Sequence, residues 1–359
     1  MKNKVAVCGH FGIGHTLLNG QTVKSVIVTD ELEREMGKGS VWRIDTHGRK
    51  NQLWMFPKLV WALMTCGSII ILPANDALLY EVPWLQFWNK IFRKKLFYVV
   101  IGGWLREYLE GYPKIASALK KYRGIFVETS TMKQDLERVG FENISILPNC
   151  KPLKILRKEE LVYSFTEPLP LVTFSRVMEE KGIGELVRVV QEVNSELGRE
   201  ALSLDIYGQV DSNETDWFEE LKKTFSSAVR YKGCVAFDKS TEVLSQYFAL
   251  VFPTKFYTEG VPGTIIDAYS AGLPVISSKW ANFADVVDDG VTGVGFEFVN
   301  WDELKGILKR IVLEPSIIYQ KKEASLRKAV EFAQVEIRKQ CDAQIEFAAS
   351  CGVVKEEFV

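Results

Sequence analysis

Two doubly wound α/β domains in tandem are what the sequence predicts. Three observations carry this. The 359 residues exceed what one hydrophobic core ordinarily serves. Short apolar runs alternate with helix-period segments in two separate series, the pattern of parallel sheets covered by helices on both faces. Between the series, residues 150–170 contain Lys151-Pro152 and Glu167-Pro168-Leu169-Pro170 with little periodicity, which reads as an interdomain linker.

In the first series, VAVCG (5–9) reads as a buried strand followed by the glycine-rich turn GHFGIGH, then NGQT and a helix to about Met36. Gly37 and Gly39 end that helix. VWRIDT (41–46) is a strand, a helix around 57–65 follows, and SIIIL (68–72) is the next strand. Residues 84–94 read as a helix, 95–102 and 124–128 as strands, and ISILPN (144–149) closes the series. In the second series, strands are expected at LVTFSR (171–176), LSLDIYG (202–208), VRYKG (229–233), ALVFPT (249–254) and PVISS (274–278). Helices are expected at 182–196, 216–225, 239–246 and 262–271, and only helices from there to the end, the last over 334–349. The expected domains are residues 1–155 and 165–333. Residues 334–359 are expected to cross back to the first domain. Sheets of this kind bind ligands beyond the carboxyl ends of their strands.

An apolar fraction of 47% with 25% charged residues places the chain among soluble globular proteins. The net charge of −1 conceals an asymmetry. Residues 1–160 carry 24 Lys and Arg against 15 Asp and Glu, while residues 161–359 carry 21 against 31. A basic first half suits anionic lipid head groups or phosphorylated acceptors, although such charges also simply solvate a surface. The six cysteines show neither CxxC nor metal-ligand spacing, which suits a reducing cytosol. The run KVAVCG begins almost at once, so no signal peptide is expected. The longest apolar run, 59–72, is broken by Cys66-Gly67-Ser68 and is too short to span a bilayer. A cytoplasmic protein, peripheral on the inner face of the cell membrane, is the expectation.

The most informative segment is FPTKFYTEGVPGTIIDAYSAGLPVISSKWANFADVVDDGVTGVGF, residues 252–296. A buried strand ends near Pro253 and a loop presents Glu259. Gly260 and Gly263 allow close backbone approach, and a helix then points its first amides back at the loop. Unpaired amides and the helix dipole suit a diphosphate. Glu259 can accept from sugar hydroxyls, and Asp267, expected about two turns inside the helix, from ribose hydroxyls. Alternatively, Glu259 caps the helix and Asp267 is solvated. A second segment, FSRVMEEKGIGELVRVV (174–190), places Arg176 at a strand end and Lys181 before a glycine-led helix. Two cations there can clamp a diphosphate, or pair with Glu179 and Glu180 at the surface.

These segments resemble the signature of the retaining glycosyltransferases of family four, which have the GT-B fold of two Rossmann-like domains. That family carries two acids separated by seven residues, an AxxAGxPVI stretch and a DGxTG turn. This chain has Glu259 and, after the same gap, Asp267 where the family has Glu; AYSAGLPVIS and Asp289-Gly290-Val291-Thr292-Gly293 follow. NGQTVKSVIVTDELE resembles the N-terminal segment of family members that build bacterial surface polysaccharides. The resemblance implies a donor site of Gly12, Gly14, Arg176, Lys181, Glu259, Val261, Gly263, Thr264 and Asp267, with Arg176, Lys181 and Glu259 catalytic. Many family members place a His after the middle strand of the first domain; here YVVIGGWLRE puts Gly102, Gly103 and Trp104 there, so backbone amides or the indole replace it. His10 and His15 flank the first glycine turn as candidate acceptor contacts or as structural residues.

The expected reaction moves a sugar from a UDP- or GDP-sugar to a hydroxyl of a lipid-diphosphate-linked saccharide, without a cofactor and without a metal. No DxD follows a strand. The stretch 83–98 sets Trp84, Phe87, Trp88, Ile91 and Phe92 on one helical face beside Lys90, Arg93, Lys94 and Lys95, which suits an interfacial helix on anionic lipid as well as a core-facing helix with a basic end. No nucleic-acid partner is expected. A nucleotide-sugar epimerase and a non-catalytic sugar-nucleotide-binding subunit are the alternatives. An NAD-dependent oxidoreductase has only Asp45, ending the second strand, in its favour, because the glycine spacing is GxxGxG rather than GxGxxG.

Overall fold

The computed structural model describes residues 5–14, 20–149 and 154–333. His15, Cys150, Cys341, Cys351 and the expected helix at 334–349 lie outside them. The described residues fall into two compact units, 5–149 and 154–333.

The first unit runs β1 (Val5–Gly9), α1 (Gly20–Met36), β2 (Val41–Asp45), α2 (Arg49–Thr65), β3 (Ser68–Ile71) and α3 (Asn75–Phe92). It continues with β4 (Lys95–Val99), α4 (Leu105–Gly111), α5 (Pro113–Leu119), β5 (Gly124–Val127), α6 (Ser130–Arg138) and β6 (Ile144–Ile146). Its six strands are all parallel, in the order β2-β1-β3-β4-β5-β6. One apolar cluster, including Leu59, Leu63, Leu78 and Tyr98, packs on one face of the sheet, and another, including Val5, Val7, Leu32 and Phe97, on the other. That two-faced burial explains why the strands read as continuous apolar runs rather than alternating ones.

The second unit runs β7 (Leu169–Phe174), α7 (Ile183–Leu197), β8 (Leu202–Tyr207), α8 (Thr215–Lys222), β9 (Val229–Gly233), α9 (Ser240–Leu244) and β10 (Ala249–Phe252). Then come α10 (Gly263–Ser270), β11 (Val275–Ser278), α11 (Phe283–Val286), β12 (Gly293–Phe296), α12 (Trp301–Leu313), α13 (Ser316–Tyr319) and α14 (Lys322–Glu331). Its parallel order is β12-β11-β10-β7-β8-β9. The chain winds outward from β7 to β9 and returns to pair β10 with β7. The switch point of this sheet is therefore the β7–β10 junction, the place where open α/β sheets generally bind ligands.

Four sequence expectations change. Helices α2 and α3 begin about eight residues earlier than read, so Pro57 and Pro83 lie inside them. A proline normally breaks a helix by removing one amide and crowding the preceding turn. Here both rings sit on the exposed side, while Leu59, Ala62 and Leu63, and Leu78, Val82 and Leu85, are buried beneath; burial outweighs the lost bonds. The short helices α4, α5 and α6 went unread because none has a long apolar period. A strand, β12, replaces part of the expected helical tail, and its Gly293 is required: a Cβ there would lie 2.3 Å from the Val275 carbonyl oxygen. Finally, the presumed linker ends early, because Leu169 and Pro170 already pair with β8 and Phe165 packs against Phe248 and Tyr319.

Candidate functional site

The β7–β10 switch point gathers side chains from two distant stretches of sequence. After β7 the backbone passes Arg176 and makes a single turn over Glu179–Lys181. Gly182, at φ 68°, then starts α7. Gly182 has to be glycine: a Cβ would stand 2.0 Å from the carbonyl oxygen of Pro253. This close approach presses the loop after β7 onto the loop after β10, and the Lys255 amide donates to the Glu180 carbonyl at 2.8 Å across the seam. Lys255 Nζ adds ion pairs to Glu185 at 2.7 Å and Glu179 at 3.5 Å.

Lys181 and Glu259 meet at this seam. Their side chains form a direct ion pair, with only 19% and 13% of their surfaces exposed. Lys181 Nζ also lies over the rings of Phe252 and Phe256, 5.7 and 5.8 Å from their centroids. The Thr254 hydroxyl donates to Glu259 Oε1 at 3.4 Å and accepts from the Phe256 amide at 3.1 Å. Asn282 Nδ2 donates to the Glu259 carbonyl at 2.6 Å, and Ser278 Oγ to the Thr254 carbonyl at 2.7 Å. The Glu259 loop is thus pinned from both flanks. Sequence spacing gave no hint of Thr254, Ser278 or Asn282, since their roles are to hold backbone that is distant in sequence.

Several expectations are corrected here. Glu259 does not cap the following helix; its carboxylate faces Lys181, and α10 has Pro262 at its N-cap with no side-chain cap. Lys181 pairs with neither Glu179 nor Glu180. Asp267 lies one turn, not two, into α10, because the helix starts at Gly263; it is buried rather than solvated. Val261 is buried at the loop end. Thr264, in the first turn, has a buried hydroxyl with no hydrogen-bond partner among the described residues. Arg176 is half-exposed and bonded to Asp211 at 3.3 Å, in a network separate from the Lys181–Glu259 pair. Asp211 comes from the segment after β8, which the Val177–Val210 bridge holds against the loop after β7.

In the first unit, the glycine turn after β1 is organised by Asp45. Its carboxylate accepts from the amides of Phe11, Gly12, Ile13 and His47 at 2.9–3.2 Å. Burial opposes its ionisation, but the four amide donors win and hold its pKa below the usual carboxylate value. An acid engaged in this way is spoken for by the loop, which removes the one feature that favoured a dinucleotide site. Gly12 and Gly14 have φ of 60° and 88°, the left-handed region this turn requires.

His10 and His47 form a pair the sequence did not suggest. His47 Nδ1 lies 3.0 Å from His10 Nε2, and His10 Nδ1 lies 2.8 Å from Thr22 Oγ1. Burial and the neighbouring His47 lower the pKa of His10. After β4, Gly103 and Trp104 are half-buried, and the indole N–H donates to the Ile101 carbonyl at 2.7 Å, so it serves its own loop. In α3, Trp84 and Trp88 are also half-buried, packed against the core. Lys90 and Arg93 are exposed; Arg93 ends the helix in the left-handed conformation, and the Lys94 amide donates to Asn89 Oδ1 at 2.6 Å, just before β4 starts at Lys95. Among the described residues no group of three or more His, Cys, Asp or Glu has metal-binding geometry.

Residues 169–312 match the model of the family described as glycosyl transferases group 1. A sucrose synthase from Melioribacter roseus is 25% identical over 185 residues, covering 46% of this chain and 23% of that protein. The chain therefore spans less than a quarter of that relative's length. Among solved structures, Anabaena Alr3699/HepE in complex with UDP and glucose superposes with a TM-score of 0.73 at 14% identity, covering 96% of this chain and all of that one. The same protein in complex with UDP-glucose gives 0.72 over 96% and 99% at 14% identity. The lipopolysaccharide outer core galactosyltransferase WaaB, in its apo form, gives 0.65 at 18% identity over 96% and 99%. The fold is GT-B, two Rossmann-like α/β domains, as the sequence predicted.

Proposed function

We propose that this chain is a retaining glycosyltransferase that moves a sugar from a UDP- or GDP-sugar to a hydroxyl of a lipid-linked saccharide in surface polysaccharide synthesis, peripheral to the membrane and without a metal. The observation that carries this reading is the meeting of Lys181 and Glu259 at the β7–β10 switch point, beside the uncapped start of α10. The group 1 match over residues 169–312 and the UDP-glucose complex of the Anabaena protein support it.

In the proposed reaction, the donor diphosphate sits against the first amides of α10, with the Thr264 hydroxyl aimed at it. Lys181 leaves Glu259 for the diphosphate, a charge-assisted contact that strengthens as negative charge grows on the leaving group. Arg176 supplies the second cation after leaving Asp211. Glu259, released, accepts hydrogen bonds from the sugar hydroxyls, and Asp267 faces the ribose side. The bond between the anomeric carbon and the phosphate oxygen breaks. The acceptor oxygen bonds to that carbon on the leaving-group face, and its proton passes to the departing phosphate oxygen.

The test is acceptor-dependent nucleotide release from UDP- and GDP-sugars, using a lipid-diphosphate saccharide and a short soluble analogue. Lys181→Ala and Arg176→Ala should each lower kcat by about 100-fold or more, with an unchanged far-ultraviolet circular dichroism spectrum. Near-normal turnover in both variants would remove these cations from the site. Nucleotide release without acceptor would favour the epimerase.

A further inference from the structure

We propose that the outer faces of α2 and α3 together form a platform that lies on an anionic lipid bilayer. This deepens the peripheral location given above by naming the surface and its partner, and its physical basis does not depend on sugar transfer.

Helix α2 is apolar on both sides. Its inner face buries Met55, Leu59, Ala62 and Leu63 against the core of the first unit. Its opposite face carries Leu53, Trp54, Trp61 and Met64, which are 75, 57, 59 and 55% exposed. Spaced through three turns with Pro57 and Val60 between them, they form one stripe. A helix on the surface of a soluble protein normally turns a polar face outward; one with a second, exposed apolar stripe opposite its buried face has a second apolar environment to meet. Helix α3 packs beside it, with the rings of Phe56 and Trp84 at 5.0 Å. Trp84, Trp88 and Phe92 are drawn toward the core, and Tyr80, Phe87 and Ile91 are left outermost, each at least 61% exposed. The outward face is thus displaced from the one that sequence spacing suggested, and most of it belongs to α2.

Charge selects the occupant. Residues 50–104 carry six Lys and Arg against two acids, Asp76 and Glu81, and Glu81 is buried. Helix α2 has no acid at all. Lys50, Lys90 and Arg93 are exposed. A second copy docked face to face would bring these cations against their own kind. An anionic bilayer accepts both features: tryptophans settle at the boundary of head groups and acyl chains while lysine and arginine reach the phosphates.

Co-sedimentation of the full chain with vesicles of phosphatidylcholine, with and without phosphatidylglycerol, tests this. Binding should be about tenfold tighter to the anionic vesicles and should weaken with added salt. Tryptophan emission should shift to the blue on binding. The variant Trp54→Ser/Trp61→Ser should lose at least tenfold in vesicle affinity and most of the blue shift. Because both rings are more than half exposed, its thermal midpoint should stay near that of the parent. Phe87→Ser/Ile91→Ser, on the neighbouring helix, repeats the test if the first variant fails to fold. Equal partitioning of parent and variants, or a dimer abolished by Trp54→Ser/Trp61→Ser in a protein that ignores vesicles, overturns the proposal. Transfer to the soluble acceptor analogue should survive in these variants. If the parent lacks that transfer but binds vesicles, the reading of the reaction fails and the platform stands.

Discussion

Glu81 sits 2% exposed on α3, and one of its carboxylate oxygens has no hydrogen-bond partner among the described residues. Burial pushes its pKa up to about 8 from an ordinary value of 4.5. Cys8, Tyr98 and Tyr122 lie close enough to feel its charge, and both tyrosine hydroxyls are likewise unpartnered there. Between those two pH values the folded chain keeps a proton that the unfolded chain has lost. Stability contributed by this group is therefore fully present below about pH 4.5 and is lost as pH rises toward about 8. Glu81→Gln keeps the shape and removes the titration. It should flatten that slope and stabilise the protein at pH 8 by roughly 1–3 kcal/mol, measured by urea unfolding across the pH range. An unchanged slope would mean the carboxyl is not the protonated group.

At the scale of elements, the glycine between β7 and α7 decides whether the two loops of the site can touch. Gly182→Ala places a methyl 2.0 Å from the Pro253 carbonyl in a left-handed conformation, so the seam must open. A loss of roughly 1–3 kcal/mol is expected, together with a fall in turnover as the loop carrying Lys181 shifts away from the loop carrying Glu259. Gly184, two residues on and inside α7, is the control: its added Cβ would find nothing closer than 3.7 Å. Gly184→Ala should leave stability unchanged or raise it by up to about 1 kcal/mol. Thermal unfolding and turnover of the two variants give opposite answers if the seam matters, and the same answer if it does not.

For the molecule as a whole, the proposed donor site lies mainly in the second unit, so donor binding should be visible as ligand-linked stability. UDP or GDP at about 100 times its Kd should add about 2.7 kcal/mol, raising the thermal midpoint of the parent. The double variant Arg176→Ala/Lys181→Ala should show little or no shift. A shift equal to the parent's would place the nucleotide elsewhere. The charge division is also a property of the whole chain: the excess of cations lies before residue 160 and the excess of acids after it. It places the basic, tryptophan-bearing platform and the Glu259 site on different units.

The sequence by itself determined the alternation of strands and helices, hence two parallel sheets, and the spacing of Arg176, Lys181 and Glu259 near strand ends. These are local properties, written in periods of a few residues and in glycines and prolines at turns. It also carried the family-like stretch from 252 to 296, whose glycines and small residues are set by backbone approach within that segment. Only the tertiary structure decided which charges meet. Lys181 reaches Glu259 across 78 residues and His47 reaches His10 across 37, and a sheet order that returns β10 to β7 makes the first of these contacts possible. It likewise decided that α2 keeps an apolar outer face uncovered, since a helix's pattern states which faces are apolar but not which of them a neighbour will bury.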